Sequence, residues 1–63
     1  MENKISYLRS RRGLTQKDVA SKLSITTSHL GMIEKGVRNP SLKLAYDISK
    51  IFNTTIEKIF FEI

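Results

Sequence analysis

Apolar residues recur along this chain at intervals of three and four positions, which is the spacing of one face of an α-helix. The repeats fall into five short segments, and glycine, proline or small polar residues separate them. No segment alternates strictly between apolar and polar residues, as a half-buried strand would. The pattern therefore predicts an all-α fold in which residues 1–63 form a single domain of five short helices.

The second and third helices have the clearest predicted ends. Thr15 and Asp18 have the spacing of a capping box, in which a hydroxyl and an acidic side chain satisfy backbone N–H groups at a helix start. This predicts a helix over residues 16–23. Thr26 is placed to cap a third helix that ends near Lys35. The inward positions of these two helices are Val19, Ala20, Leu23, Leu30 and Ile33.

The other three helices are predicted from similar signals. Gly13 ends the first helix, Asn39-Pro40 supplies an N-cap and first residue for the fourth, and Asn53 suits a left-handed exit from it. Thr55 is placed to cap the fifth. Helical spacing places three sets of residues each on one helix face: Ile5, Leu8, Arg9 and Arg12 in the first helix, Leu42, Ala45, Ile48 and Phe52 in the fourth, and Ile56, Ile59, Phe60 and Ile63 in the fifth.

The charge balance adds a candidate partner. Eleven Lys and Arg against six Asp and Glu give a net charge of +5 and a pI near 9.9. Such an excess fits a polyanion such as nucleic acid, although on its own it fits a merely solubilising role equally well. Most of the basic residues precede residue 44, and the apolar C-terminal part has only Lys50 and Lys58. Charge and apolar surface are thus expected at opposite ends of the domain.

Composition also sets limits on function. The chain has no cysteine, no signal-peptide pattern and no apolar run long enough for a membrane span, so we expect a cytoplasmic protein without membrane contact. A nucleophile with an adjacent base, a carboxylate cluster, metal ligands and a phosphate-cradling loop are all missing from the sequence. We therefore expect no enzyme, no cofactor and no metal, and no small-molecule effector.

Residues 16–35 have the helix, short turn and helix of a helix-turn-helix motif. The two helices of this motif cross closely, and Ala20 is the small residue expected at their contact. Apolar residues fill the wedge between the helices, so the outward face of the second one is free for other contacts. That face is formed by Thr27, Ser28, Gly31, Met32 and Lys35.

Three stretches in order resemble the Cro/lambda-repressor-type (XRE) family of transcriptional regulators: Leu14-Thr15-Gln16-Lys17-Asp18-Val19-Ala20, Ile33-Glu34-Lys35-Gly36 and Asn39-Pro40-Ser41-Leu42. The resemblance covers about residues 4–60. It implies a compact five-helix, lambda-repressor-like fold whose third helix enters the DNA major groove, and a dimer that binds double-stranded DNA and usually represses transcription.

Two positions depart from the family pattern. Ser24 stands in the turn where the family usually has glycine, which costs about 1 kcal/mol if its φ is positive. Gly31 lies inside the predicted recognition helix, where glycine costs roughly 1 kcal/mol relative to alanine. It either permits a close approach to DNA or is simply tolerated.

The resemblance assigns base reading to Thr27, Ser28 and Met32, with His29 at the edge of this surface. The hydroxyls can hydrogen-bond base edges, and the threonine methyl and Met32 can touch thymine methyl groups. A bidentate Arg or Gln reader is missing from these positions, so we expect modest direct readout and a large share from DNA shape. The alternative for His29 is an ordinary helix-surface residue, and for Met32 it is core filling.

Phosphate contacts are expected around this surface. By resemblance, the Gln16 amide and the N-terminus of the second helix contact a phosphate. The other candidates are Lys17, Thr26, Lys35, Arg38 and Asn39, with Arg11 and Arg12 extending the footprint. Each charge taken singly is also compatible with a solvated surface. Arg9 and Glu34 match a pair that forms a structural ion pair in relatives, joining the first helix to the third.

The C-terminal residues Ile59, Phe60, Phe61 and Ile63 are the candidate dimer interface, and a frayed tail is the alternative. A twofold dimer would place two recognition helices roughly 34 Å apart, which matches half-sites of a pseudo-palindrome. The sequence therefore predicts a DNA-binding transcriptional regulator, a dimeric repressor. The alternative is an antitoxin-like protein-interaction module with the same fold.

Overall fold

The computed structural model describes residues 3–61, which contain five α-helices and no strand. The helices are α1 (Ile5–Arg11), α2 (Gln16–Leu23), α3 (Thr27–Glu34), α4 (Leu42–Ile51) and α5 (Ile56–Phe60). The all-α prediction is confirmed. Helices α2 and α3 lie within residues 16–35, the segment predicted to be a helix-turn-helix. Ile63, predicted on the apolar stripe of the fifth helix and at the interface, lies outside the described residues.

Hydroxyl side chains begin four of the five helices. Thr15, Thr26, Ser41 and Thr55 each have an extended backbone and accept the N–H of the residue three positions on, over 3.0–3.1 Å. Thr15 also donates its backbone N–H to Asp18 Oδ2 at 2.8 Å, which completes the predicted capping box. These bonds satisfy N–H groups that have no partner within the helix.

The predicted start of α4 is wrong. The helix begins at Leu42, with Ser41 as its N-cap, and not at Pro40 with Asn39. Asn39 and Ser41 are both favoured N-cap residues, but here Ser41 Oγ accepts from Leu44 N at 3.1 Å. Leu42 is then the first helical residue, and it is 78% exposed, so it does not share the burial of the other residues on its predicted stripe. The buried stripe of α4 starts one turn later, at Ala45.

The core lies where all five helices meet. Its buried apolar members are Ile5, Val19, Ala20, Leu30, Ile33, Ala45, Ile48, Phe52, Ile59 and Phe60. A backbone hydrogen bond from Lys4 N to Ile59 O at 2.9 Å ties the start of α1 to α5. A domain of 63 residues without disulfides depends on such a core, because its small size limits the surface that folding can bury.

Two of the predicted dimer-interface residues are therefore core residues. Ile59 has no exposed surface and Phe60 is 4% exposed, because so short a chain needs both side chains to close the bundle. Phe61, the next residue, is 64% exposed. The predicted interface is corrected accordingly: of the three predicted residues that the structure describes, only Phe61 is exposed.

The turn between α2 and α3 contains a non-glycine residue in the left-handed region. Ser24 has φ 57° and ψ 39°, and Asn53 after α4 has φ 51°. The φ of Ser24 is positive, so the backbone strain expected for that case applies. The Cβ of an L-residue is crowded in this conformation. Asparagine tolerates this conformation better than most residues, as predicted for Asn53.

Candidate nucleic-acid interface

The outward face of α3 is open to solvent, and its inward face is fixed. Leu30 and Ile33 are fully buried against α2, where Val19 and Ala20 are also buried. Thr27 and Ser28 are exposed at the first turn of α3. The helix therefore presents short polar side chains on a braced scaffold, which is the arrangement that reading a major groove requires.

The other two predicted base-reading residues are less open. His29 and Met32 are partly buried, so they lie at the margins of the exposed face. Neither belongs to the buried core cluster. Met32 is thus neither fully exposed nor core filling, and part of its surface stays accessible beside Thr27 and Ser28.

Exposed basic residues lie near the start of α2 and at the end of α3. Lys17 is at the start of α2, Lys35 ends α3, and Arg38 follows it; all three are exposed, as is Asn39. Within residues 3–61, Lys35 and Arg38 have no ion pair or side-chain hydrogen bond. Their charges are therefore available to a polyanion.

Arg9 and Glu34 form the ion pair that the resemblance implied, and it joins α1 to α3. Arg9 Nε lies 2.8 Å from Glu34 Oε2, and Nη2 lies 3.2 Å from Oε1. Arg9 Nη1 also donates to Leu14 O at 3.1 Å. The two side chains are only 15% and 7% exposed, and the hydrogen bond with Glu34 raises the pKa of Arg9. The pair is thus mostly shielded from solvent, between α1 and the last residue of α3.

Gln16 is joined to the same pair. Its Nε2 donates to Glu34 Oε1 at 3.0 Å, so the first residue of α2 is linked to the end of α3. Gly31 is a close neighbour: a Cβ built on it would lie 3.7 Å from Gln16 Nε2, an ordinary van der Waals distance. Packing within the protein therefore does not require glycine at this position.

Arg12 has a different role from the predicted phosphate contact. Its guanidinium donates to the carbonyl oxygens of Ile51 (3.2 Å) and Phe52 (3.0 Å), at the C-terminal end of α4. The ten residues of α4 span about 15 Å. Arg12 is thus at the opposite end of this helix from Asn39, and we correct its assignment to a structural one.

Arg11 remains a candidate for the phosphate footprint. It is exposed, donates to the Tyr7 hydroxyl at 2.9 Å and lies 5.7 Å from the centre of the Tyr7 ring. Thr26 is exposed too, and its hydroxyl oxygen accepts from His29 N. The hydrogen of that hydroxyl is still a possible donor.

An apolar groove of about 350 Å³ lies between the start of α4 and α5. Leu42 and Phe61 are exposed on it, at 78% and 64%. Its lining residues are Asn39, Pro40, Leu42, Ala45, Ile56, Phe60 and Phe61. Because Asn39 also belongs to the predicted phosphate surface, the groove adjoins that surface.

Residues 3–61 contain no group of three or more His, Cys, Asp or Glu side chains that could hold a metal ion. Across the same span, every helix is too short or too polar to cross a lipid bilayer.

The fold and the exposed third helix together define a helix-turn-helix domain. The sequence matches the family model described as helix-turn-helix over residues 5–59. It is 48% identical over 60 residues to an uncharacterized HTH-type transcriptional regulator of Methanocaldococcus jannaschii, covering 95% of this chain and 91% of that protein. An uncharacterized HTH-type transcriptional regulator of Archaeoglobus fulgidus is 40% identical over 60 residues (95% and 86% covered). The uncharacterized HTH-type transcriptional regulator YgzD of Bacillus subtilis is 38% identical (95% and 91%).

The chain therefore belongs to the XRE (Cro/lambda-repressor-type) family of helix-turn-helix proteins.

Proposed function

We propose that this protein is a sequence-specific DNA-binding regulator of transcription that represses by occupying a pseudo-palindromic operator as a homodimer. The observation that carries the proposal is the open polar face of α3 with its rigid apolar support from α2. The HTH-type regulators at 38–48% identity over 95% of the chain support it further.

The first turn of α3 would contact the bases. The hydroxyls of Thr27 and Ser28 both donate and accept, so they can bond several base edges, and the threonine methyl group can contact a thymine methyl. Met32 adds apolar contact at the margin. Such contacts discriminate less than a bidentate side chain, so the sequence-dependent shape of the duplex supplies much of the specificity.

Phosphate binding would position α3 in the groove. Lys17 in the first turn of α2, and Lys35 and Arg38 at and after the end of α3, are exposed charges. The Gln16 amide, the Thr26 hydroxyl and the Asn39 amide can donate hydrogen bonds to phosphate oxygens. These contacts fix register and orientation without reading sequence.

The groove beside α5 would be the dimer contact. It is apolar, and Phe61 is an exposed part of its lining, so two copies related by a twofold axis can each place Phe61 against the groove of the other. An interface at this place would fix the spacing of two α3 helices on successive turns of the duplex.

Selection of bound sequences from a random duplex library tests the proposal. The selected operator is then titrated with Thr27→Ala/Ser28→Ala, which should weaken binding by about tenfold or more because hydrogen bonds to base edges are lost. Ser6→Ala/Ser21→Ala, which removes two exposed hydroxyls outside α3, is the matched control and should bind as the wild type does. Enrichment of no sequence at about 50 mM salt, where phosphate contacts are strong, contradicts the proposal.

A second candidate is an antitoxin-like module whose main target is another protein. The exposed apolar groove with Phe61 and Leu42 favours it, since such a surface can also seat a partner of a different kind. This candidate predicts that Phe61→Ser abolishes binding of the partner and that the wild-type protein enriches no DNA sequence.

A further inference from the structure

The hydrogen bond between Gln16 and Glu34 connects the predicted phosphate surface to the interior of the fold. Glu34 receives two hydrogen bonds from Arg9, and its side chain is 7% exposed. A carboxylate held on both oxygens by one guanidinium has a defined plane. The lone pair of Oε1 that accepts from Gln16 Nε2 at 3.0 Å is therefore fixed in direction.

This bond settles which way the Gln16 amide faces. A carboxylate can only accept, so the NH₂ group of Gln16, and not its oxygen, must face Glu34. One N–H of Nε2 is engaged by Glu34. The other has no hydrogen-bond partner among the residues that the structure describes.

We infer that Glu34 is a positioning residue for DNA binding, which holds Gln16 so that this second N–H meets a backbone phosphate. The inference rests on the proposed function, because it takes the duplex to lie along α3 and the N-terminus of α2. A phosphate oxygen is also only an acceptor, so an amide turned the other way would present its own oxygen and repel it.

Two physical features make this arrangement effective. Gln16 gives up its side-chain freedom when the protein folds and not when DNA binds, which removes an entropic cost from the binding step. Gly31 has no side chain beside the amide, where a Cβ would lie 3.7 Å from Nε2. Residue 31 therefore has no side chain that could cover the Gln16 amide on the side that faces α3.

A set of variants with unchanged net charge tests whether Glu34 positions the Gln16 amide or only stabilises the fold. Arg9→Met/Glu34→Leu replaces the buried pair by apolar side chains, a change that often preserves stability, and leaves the net charge unchanged. Gln16→Met removes the donor at nearly the same length. Each is measured alone and combined, on a mixed-sequence duplex of about 20 base pairs at about 50 mM NaCl, because a phosphate contact does not depend on sequence.

We expect Gln16→Met and the double variant each to weaken binding on the order of tenfold, and the triple variant to be no weaker than either. A purely structural pair gives a different result: a folded double variant that binds as the wild type does, or losses that multiply in the triple variant. Either result overturns the inference while the proposed function stands. A wild type that binds no duplex overturns both.

NMR of the wild-type side-chain amide gives a second test that does not depend on any variant being folded. The two hydrogens of Gln16 Nε2 are assigned, and the mixed-sequence duplex is added. The hydrogen bonded to Glu34 should keep its chemical shift and the other should move. If neither moves, or if the first moves to the position of a free amide, the inference fails.

Discussion

Arg12 closes the C-terminal end of α4 through Phe52: its guanidinium donates to the Phe52 carbonyl at 3.0 Å and lies 5.9 Å from the centre of the Phe52 ring. The last carbonyl groups of a helix have no partner within it, and they carry the negative end of the helix dipole. A cation that follows α1 therefore stabilises α4, across 40 residues of sequence.

Arg12→Ala should lower the free energy of unfolding by about 1–2 kcal/mol, because two hydrogen bonds to terminal carbonyls and a favourable dipole contact are lost. Urea denaturation measures the change. Arg11→Ala is the control: it removes the same charge, but among the residues that the structure describes the Arg11 guanidinium bonds the exposed Tyr7 alone, so no measurable loss is expected. Equal losses in the two variants would mean that the Arg12 contacts add nothing.

The capping box at Thr15 should make stability depend on acid. The pKa of Asp18 is lowered, first by the hydrogen bond that its carboxylate accepts from the Thr15 backbone N–H. A hydrogen bond with the Thr15 side chain and the nearby charges of Lys22 and Lys17 lower it further. A carboxylate with a lowered folded pKa stabilises the fold fully above its unfolded pKa, about 3.9, and loses this as pH falls through the folded value. Thermal melts between about pH 5 and pH 2 should therefore show a steeper loss for the wild type than for Asp18→Asn. Parallel curves would show that the box contributes no pH dependence.

Ser24→Gly should stabilise the protein by about 0.5–1 kcal/mol, because a left-handed Cβ is removed although the unfolded chain gains some freedom. Asn53→Gly is the matched variant, since Asn53 has nearly the same φ, 51° against 57°, and asparagine is less strained there. Its gain should be smaller, and both gains are read from denaturant midpoints. A larger gain at Asn53 would place the strain elsewhere.

Most helix boundaries could be predicted because their signals are local. Thr15, Thr26 and Thr55 cap helices through bonds that span three residues, so the sequence alone contains the necessary information. The start of α4 was mistaken because Asn39 and Ser41 are equally good caps, and the proline between them favoured the earlier one. The packed chain, in which Leu44 N bonds Ser41 Oγ, decides between them.

The exposed face of α3 was predictable because its side chains face outward on a single helix. Thr27 and Ser28 follow from the period of α3 once Leu30 and Ile33 are placed inside. Contacts between elements do not follow in this way. Gln16 meets Glu34 over 18 residues, and only the crossing of α2 and α3 determines that distance.

The salt dependence of operator binding reports how many charges lie on phosphates. If each subunit neutralises about four phosphates, the slope of log K against log[salt] should be near −7 for the dimer. Lys35→Gln should reduce the magnitude of the slope by about 2, one contact per subunit. Lys50→Gln, at the far end of α4 beside Tyr46, has the same charge change and should leave the slope unaltered. A slope that Lys35→Gln does not alter removes Lys35 from the interface.

Phe61 should determine whether the protein dimerises. Phe61→Ser removes an exposed ring from the lining of the groove, while Ile59 and Phe60 keep the core closed, so the monomer should stay folded. Sedimentation equilibrium should show a dimer dissociation constant raised by about tenfold or more, as burial of one aromatic side chain in each copy is lost. Operator binding should then require higher protein concentration, because the dimer must form before two half-sites are occupied. Tyr7→Ser, an exposed aromatic residue of α1 outside the groove, is the control. If the two variants sediment alike, the groove is not the contact between copies.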